Sequence, residues 1–306
     1  MRPQGIATAA QWLSRGEEQL RRSGVPETAA NAELLLAHVL GLQRPAVKAF
    51  PDRVLTEKER HHFWHLVLQR SRRMPLAYVL GFQPFMGIDI DVTPSVLVPR
   101  PETEQLVEAV LELAGKELES HPDKTLQIVE LGTGSGCISV ALACRLKTAL
   151  LYATDISQAA LQLAERNARK HHVESRIRFL REDIFKPEAR GGGPWADFLV
   201  ANPPYVPSSQ LRRLEPEVLQ EPFLALDGGK DGLEAVRAIL AGAPRLLKPG
   251  GWLALEIGER QAEPVAKMIE RASSGGFVFA QAEIRKDLQG AERVVLARRT
   301  PPEASK

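Results

Sequence analysis

The sequence predicts an α/β chain whose larger part is a mostly parallel, seven-stranded sheet with helices on both faces, preceded by a small all-helical domain. Three observations lead there. From Thr125 onward, short apolar runs alternate with helical periodicities, the pattern that builds parallel sheets. Seven runs read as strands: 126–131, 150–154, 177–180, 198–201, 252–257, 277–282 and 293–297. Residues 6–73, by contrast, show helical spacing and no strand pattern. The expected organisation is a helical domain over 1–75, a β-hairpin linker over 76–97 and the main domain over 98–306.

A chain of 306 residues is long enough for two domains with real cores. Its net charge of +2 gives no global field of the kind that marks nucleic-acid or membrane proteins. The charge is uneven, however. Residues 1–75 hold twelve Lys/Arg against seven Asp/Glu, and the remainder holds 28 against 31. A mildly basic accessory domain suits docking of an acidic or RNA-bound partner. Two cysteines, Cys137 and Cys144, lie seven apart in one apolar helical pattern and read as small core residues in a reducing compartment. No apolar run reaches the length of a membrane span, and Met1-Arg2-Pro3-Gln4-Gly5 lacks the core of a secretory signal, so a cytoplasmic protein with no membrane partner is expected.

In the helical domain a first helix runs from Thr8 to Ser23, with Ala9, Trp12, Leu13 and Leu20 at helical spacing and Gly24 at its end. Pro26 sits at a helix-starting position before 27–40. Thr56-Glu57-Lys58-Glu59 is a capping-box pattern leading into a third helix through Arg73. His61 and His65 share a face of that helix as two zinc ligands do, but no Cys or acidic pair completes a set, so a polar face is favoured and no metal is expected. In the linker, 78–82 and 85–92 read as strands around Gln83-Pro84. Pro101, followed by Glu102 and Glu104, suits the first turn of a helix to about Glu119. Further helices are expected over 136–146, 157–171, 233–247 and 262–272, with Gly191-Gly192-Gly193-Pro194 as a flexible turn and a loose tail after Arg299.

Four motifs fall at carboxyl ends of the expected strands, where open α/β sheets bind ligands. Glu130-Leu131-Gly132-Thr133-Gly134-Ser135-Gly136 follows a strand and opens a helix; its glycines let backbone N–H groups approach an anionic ligand, although a tight βα turn needs no more than this. The strictly alternating glycines depart from the dinucleotide pattern. Asp155, roughly twenty residues later, suits ribose hydroxyls or else caps the next helix, a task for which Ser157 is better placed. Asp183 could accept from an adenine amino group while Ile184 packs on the ring; both also suit an ordinary loop. Asn202-Pro203-Pro204-Tyr205 is a stiff turn, since Asn202 and Pro203 both precede a proline and are held extended.

Together these residues resemble the class I S-adenosylmethionine-dependent methyltransferases, and within them the HemK/PrmC family, which methylates the side-chain amide nitrogen (N5) of a glutamine in class I peptide chain release factors. The resemblance covers nearly the whole chain. Besides the glycine loop and Asn202–Tyr205 it includes Pro99-Arg100-Pro101-Glu102-Thr103-Glu104, the stretch 221–233 (Glu-Pro-Phe-Leu-Ala-Leu-Asp-Gly-Gly-Lys-Asp-Gly-Leu) and Lys286-Asp287-Leu288. It implies a Rossmann-like fold. It also implies that S-adenosyl-L-methionine is held by Gly132, Thr133, Gly134, Ser135, Gly136, Asp155, Asp183, Ile184 and Asn202, with S-adenosyl-L-homocysteine as product and no metal. Asn202, Pro203 and Tyr205 are the implied catalytic residues, gripping the glutamine with Pro204, while Arg100 and Glu102 fix the preceding loop or border the glutamine channel. Many relatives carry an aromatic residue where Ile184 stands, so aliphatic packing replaces stacking here.

On this reading the Asn202 side-chain oxygen and the Pro203 carbonyl accept the two amide N–H bonds and aim the nitrogen lone pair. The expected protein is a monomer whose partner is a release factor and whose substrate is not nucleic acid. Other readings are a ribosomal-protein glutamine methyltransferase and an adenine or guanine amino-methyltransferase, which needs a base-flipping pocket and usually a basic face. A nicotinamide oxidoreductase is disfavoured by the glycine alternation, and a silent binding module by the intact motifs.

Overall fold

The structure, a computed structural model, describes residues 8–186, 193–272, 278–287 and 289–300. They fall into two compact units. One comprises Met1–Phe82 and Glu215–Gln220, the other Gln83–Leu214 and Glu221–Lys306.

The first unit is helical: α1 (Ala9–Arg22), α2 (Thr28–Leu40), α3 (Arg44–Ala49), α4 (Glu57–Ser71) and α5 (Leu76–Leu80). Thr8 and Thr56 each cap a helix by accepting from the residue three on, Gln11 and Glu59, whose side chains reciprocate. Trp12, Leu20, Leu35, Leu36, Phe63 and Val67 form its core. Gly16 lets α1 lie close to α4, since a Cβ there would come within 2.7 Å of the Phe63 ring. Glu217 joins this unit through ion pairs to Arg70 at 2.8 Å and Arg73 at 2.5 Å. His61 is exposed, 4.0 Å from Glu57, and no group of three metal-ligating side chains occurs among the described residues.

Three details differ from the sequence reading. Pro26 does not start α2, because Glu27 adopts φ 49° and the helix begins at Thr28. The short helix α3, with Pro45 in its first turn, was not expected. Residues 78–80 are helical rather than extended: Pro75 starts α5 and Gly81, at φ 85°, ends it. The hairpin therefore shifts. Its strands are β1 (Phe82–Phe85) and β2 (Ile88–Asp91), and its turn is Met86-Gly87, both at positive φ as a two-residue hairpin turn demands. Gln83-Pro84 lies inside β1, where a two-stranded ribbon tolerates a missing N–H.

The second unit carries the sheet. Its strands are β3 (Gln127–Leu131), β4 (Leu150–Asp155), β5 (Ile177–Arg181), β6 (Ala196–Ala201), β7 (Leu247–Glu256), β8 (Glu283–Lys286) and β9 (Glu292–Arg298). The described residues give a seven-stranded order β5-β4-β3-β6-β7-β9-β8, parallel except at β9. The helices are α6 (Pro101–Ser120), α7 (Cys137–Arg145), α8 (Gln158–Lys170), α9 (Glu234–Leu246) and α10 (Ala262–Arg271). The expected strand over 277–282 is not formed by its described residues. Phe279 makes a single bridge to Arg299, and the edge strand is the charged Glu-Ile-Arg-Lys that follows, which apolarity does not reveal. Phe277, Gly191, Gly192, Leu288 and the tail beyond Thr300 lie outside the described residues. No helix among the described residues is long and apolar enough to cross a membrane.

The order in which successive strands are added switches sides of the sheet between β3 and β6, which run parallel. Ligands of open α/β sheets bind in the crevice at the carboxyl ends of such strands. β6 is buried along all six residues, and the Asn-Pro-Pro turn starts from its end.

Candidate active site

The loop after β3 is shaped by three left-handed glycines, Gly132, Gly134 and Gly136, at φ 75°, 55° and 79°. Gly136 is also a close approach, because a Cβ would lie 2.9 Å from the Cβ of Ala164 in α8. Buried Asn167 of α8 holds the loop from behind. It donates to the Ser135 carbonyl at 2.8 Å and to the Asp91 carbonyl at 2.9 Å, and accepts from the Asp91 N–H. Asp155, at the end of β4, accepts from Gly134 N–H and Ser157 N–H, both at 2.8 Å. Ser157 itself is the cap of α8, accepting from Ala160 N–H. Burial raises the Asp155 carboxyl above its ordinary range, against the opposing pull of these N–H donors. The Asp183 side chain accepts from Phe185 N–H at 2.9 Å. The Ile184 methyl lies 3.7 Å from where a Gly132 Cβ would be.

The turn after β6 is braced by distant segments. The Tyr205 carbonyl accepts from Gln261 Nε2 at 3.0 Å, and the same amide donates to the Gly232 carbonyl at 3.2 Å. Val206 pairs with Asp227 as an isolated bridge. Gly228 and Gly232 press on the turn's backbone. A Cβ on Gly228 would lie 2.7 Å from the Pro204 oxygen, and one on Gly232, at φ 78°, 2.3 Å from the Tyr205 oxygen. The Tyr205 ring packs on Gly258, and burial pushes its hydroxyl up to about 12. Asn202 Nδ2 donates to the Thr103 hydroxyl at 3.1 Å. Arg100 pairs with buried Glu221, whose other oxygen accepts from Val98 N–H at 2.9 Å, so this pair ties the Pro-Arg-Pro-Glu-Thr-Glu stretch to the start of 221–233.

A cavity of about 540 Å³ opens along this edge. Its lining brings together Gly132, Thr133, Gly134, Ser135, Asp155, Asp183, Ile184, Asn202, Pro204 and Arg100. Gly136, Pro203 and Tyr205 are not in the lining, and Glu102 faces a separate cavity with Glu104, Glu108 and Arg285. Two residues to which the sequence reading gave no role stand close to the edge. Glu130 lines the cavity; its Oε2 accepts from Thr133 and Ser139, while its Oε1 is buried without a partner. Burial lifts its carboxyl to about 7. Glu256, at the end of β7, is buried likewise and raised to about 7. Both carry one sequence signal, a carboxylate inside an apolar strand run, where an ionised group is costly unless it has a task or a partner.

A mostly parallel sheet whose strand order switches sides at β3/β6, with a glycine loop, a strand-end aspartate and an Asn-Pro-Pro turn around one cavity, defines a class I methyltransferase. The family model described as the PrmC N-terminal domain matches residues 11–81, and the methyltransferase small domain matches 110–274. The chain is 42% identical over 95% of its length, and 99% of the relative's, to the release factor glutamine methyltransferase of Moorella thermoacetica. It is 35% identical over 97% of its length, and 89% of the relative's, to the human protein named MTRF1L release factor glutamine methyltransferase. The chain belongs to the release factor glutamine methyltransferase (HemK/PrmC) family. Among solved structures, the hMettl16 catalytic domain in complex with MAT2A 3′UTR hairpin 1 shares the fold at TM-score 0.53 and 16% identity, covering 83% of this chain and 88% of that one.

Proposed function

We propose that this protein transfers a methyl group from S-adenosyl-L-methionine to the side-chain amide nitrogen of a glutamine in a class I peptide chain release factor. The observation that carries the reading is the single cavity in which the glycine loop, Asp155 and Asp183 meet Asn202 and Pro204. The donor supplies a methyl already activated on a sulfonium. The cavity fits it chemically: Asp155 has lone pairs beyond those used by Gly134 and Ser157 for hydroxyl groups, and the unpartnered Glu130 Oε1 suits a cationic ammonium. Gly132–Ser135, Asp155, Asp183 and Ile184 are the proposed holding residues; Gly136 shapes their loop, and Asn202 borders the donor without carrying its affinity.

The acceptor chemistry follows from amide electronics. A glutamine nitrogen is a poor nucleophile because its lone pair is conjugated with the carbonyl. Asn202 Nδ2 is engaged by Thr103, which leaves Oδ1 to accept one substrate N–H. The other is assigned to the carbonyl of Pro203, which precedes the lining Pro204, and the wall of the amide plane to Tyr205 just beyond that lining. Positive charge develops on the nitrogen as the bond forms, so both acceptors bind that state more tightly than the neutral amide, which is what accelerates a reaction. The proton leaves to water after attack, so no strong base is required. Arg100 acts by holding the loop through Glu221. Docking is assigned to the basic helical unit, supported by the family match there. Acting on release factors puts the enzyme where translation ends, read here as the cytoplasm.

The test is to incubate the purified protein with methyl-labelled donor and, separately, release factor or nucleic acid. Label on one release-factor glutamine is expected. Label in nucleic acid alone sinks the reading.

A further inference from the structure

Pro222, Phe223, Leu224 and Ala225 line the same cavity as Asn202 and Pro204. Phe223–Ala225 form a single tight helical turn whose backbone is pinned at both ends. In front of it, buried Glu221 holds Arg100 and accepts from Val98 N–H. Behind it, the Leu226 carbonyl accepts at 3.0 Å from the N–H of Val206, the residue after Tyr205. Within the turn, Ala225 N–H donates to the Pro222 carbonyl at 2.9 Å, and the Phe223 carbonyl accepts from Leu226 and Asp227 N–H, both at 3.0 Å. The backbone is thus fastened to the acceptor half of the site, yet the two large side chains stand in solvent. Phe223 is 60% exposed and Leu224 71%.

This exposure is concentrated at the cavity. Among the described residues of the second unit, the exposed large apolar side chains are Leu150, Ile156, Phe185, Phe223, Leu224 and Val278, and all but Leu150 and Val278 line it. Clustered apolar surface of this kind marks a place where something binds. Reach says what covers Phe223 and Leu224. A glutamine amide nitrogen stands four bonds from its Cα, an extended span of roughly 5 Å at about 1.5 Å per bond. A protein substrate whose amide meets Asn202 must therefore bring its own backbone into the same cavity mouth. Charge says what kind of segment fits. The lining acids Glu130, Asp155, Glu182 and Asp183 belong to the donor half, while the charged lining residue of the acceptor half is Arg100, which has Glu221 as its partner.

We propose that Phe223 and Leu224 are an apolar lip for the protein substrate: they receive the chain on either side of the target glutamine and favour a glutamine whose neighbours carry no charge. The proposal rests on the glutamine-methylation reading. An uncharged segment seated there takes the exposed apolar surface out of water. A charged neighbour loses its own water against the lip, with no partner to replace it. Because the turn is tied to Val206 and, through Glu221, to Arg100, a segment seated on it is held in a fixed place relative to Asn202.

The experiment uses the full chain and intact release factor, and measures kcat and KM for the factor, donor affinity by calorimetry, melting temperature and sedimentation. The double variant Phe223→Ser, Leu224→Ser should raise KM for the factor on the order of tenfold to a hundredfold, with donor affinity and melting temperature unchanged. The double variant Phe223→Leu, Leu224→Met keeps an apolar surface and should stay within a few-fold of wild type. A release factor with lysine on each side of the glutamine should lose on the order of tenfold in kcat/KM with the wild-type enzyme, and that penalty should shrink several-fold with the serine variant. An unchanged KM in the serine variant, or a lysine penalty as large as before, overturns the lip. So does a donor affinity that falls as far as KM rises, which assigns the two residues to the donor. A wild-type dimer that the serine variant dissolves with KM unchanged overturns it too, in favour of a second copy of this chain. A wild-type protein that binds donor but methylates no glutamine of the unaltered factor overturns the underlying reading instead.

Discussion

The two halves of the cavity are held in different ways. The donor half is mostly local: Gly132 to Gly136 make one loop, which Thr154 and Asp155 at the next strand end fasten through the N–H groups of Thr133 and Gly134, with Asn167 of α8 behind it. The acceptor half is assembled from afar. Asn202–Tyr205 is braced by Thr103 about a hundred residues before it, and by Gly228, Gly232 and Gln261 after it. The difference suits the two tasks. Binding a donor needs many modest contacts, which backbone groups of one loop supply. Aiming a weak nucleophile needs a few acceptors kept in place to within a fraction of an ångström, which a rigid, over-braced turn supplies.

If that division is right, changes in one half should leave the other half's measurable intact. The largest effect is expected from Asn202→Ala: turnover on release factor should fall on the order of 10²–10³, as for loss of a transition-state hydrogen-bonding group, with the melting temperature unchanged. Asp155→Ala should weaken donor binding on the order of tenfold to a hundredfold, measured by calorimetry, with a smaller change in the rate at saturating donor. Gly232→Ala forces a side chain into φ 78° and against the Tyr205 carbonyl. It should cost about 1–3 kcal/mol in chemical denaturation and lower kcat with donor affinity kept. Ile184→Phe should have the smallest effect, tightening donor binding by about 1 kcal/mol or less if a ring can stack there. A donor affinity that falls with Gly232→Ala as far as kcat does would break the comparison.

The same contrast explains what the sequence could tell. Regular periodicity exposed most of the sheet and the long helices, and proline and glycine punctuation located the glycine loop and the Asn-Pro-Pro turn. The hairpin was displaced because Tyr78–Leu80 is apolar enough for either state, and Pro75 and Gly81 decided for a helical turn. The edge strand Glu283–Lys286 was passed over because three of its four residues are charged and both its ends are exposed. Thr103 and Glu256 were legible only as oddities, a threonine in an acidic helix start and a carboxylate in an apolar strand. The meeting of Thr103 with Asn202 is a product of tertiary contact, which no local pattern encodes. Glu102, one residue before buried Thr103, lines a different cavity, a placement its neighbours in sequence do not reveal.

The central claim is that Asn202 aims the acceptor while Asp155 holds the donor. The most direct test measures donor affinity and single-turnover methylation together in Asn202→Ala and Asp155→Ala. The expected result is a crossed pattern: the asparagine variant binds donor within a few-fold of wild type yet transfers slowly, and the aspartate variant binds poorly yet transfers near-normally once saturated. Equal losses of both quantities in both variants would contradict it.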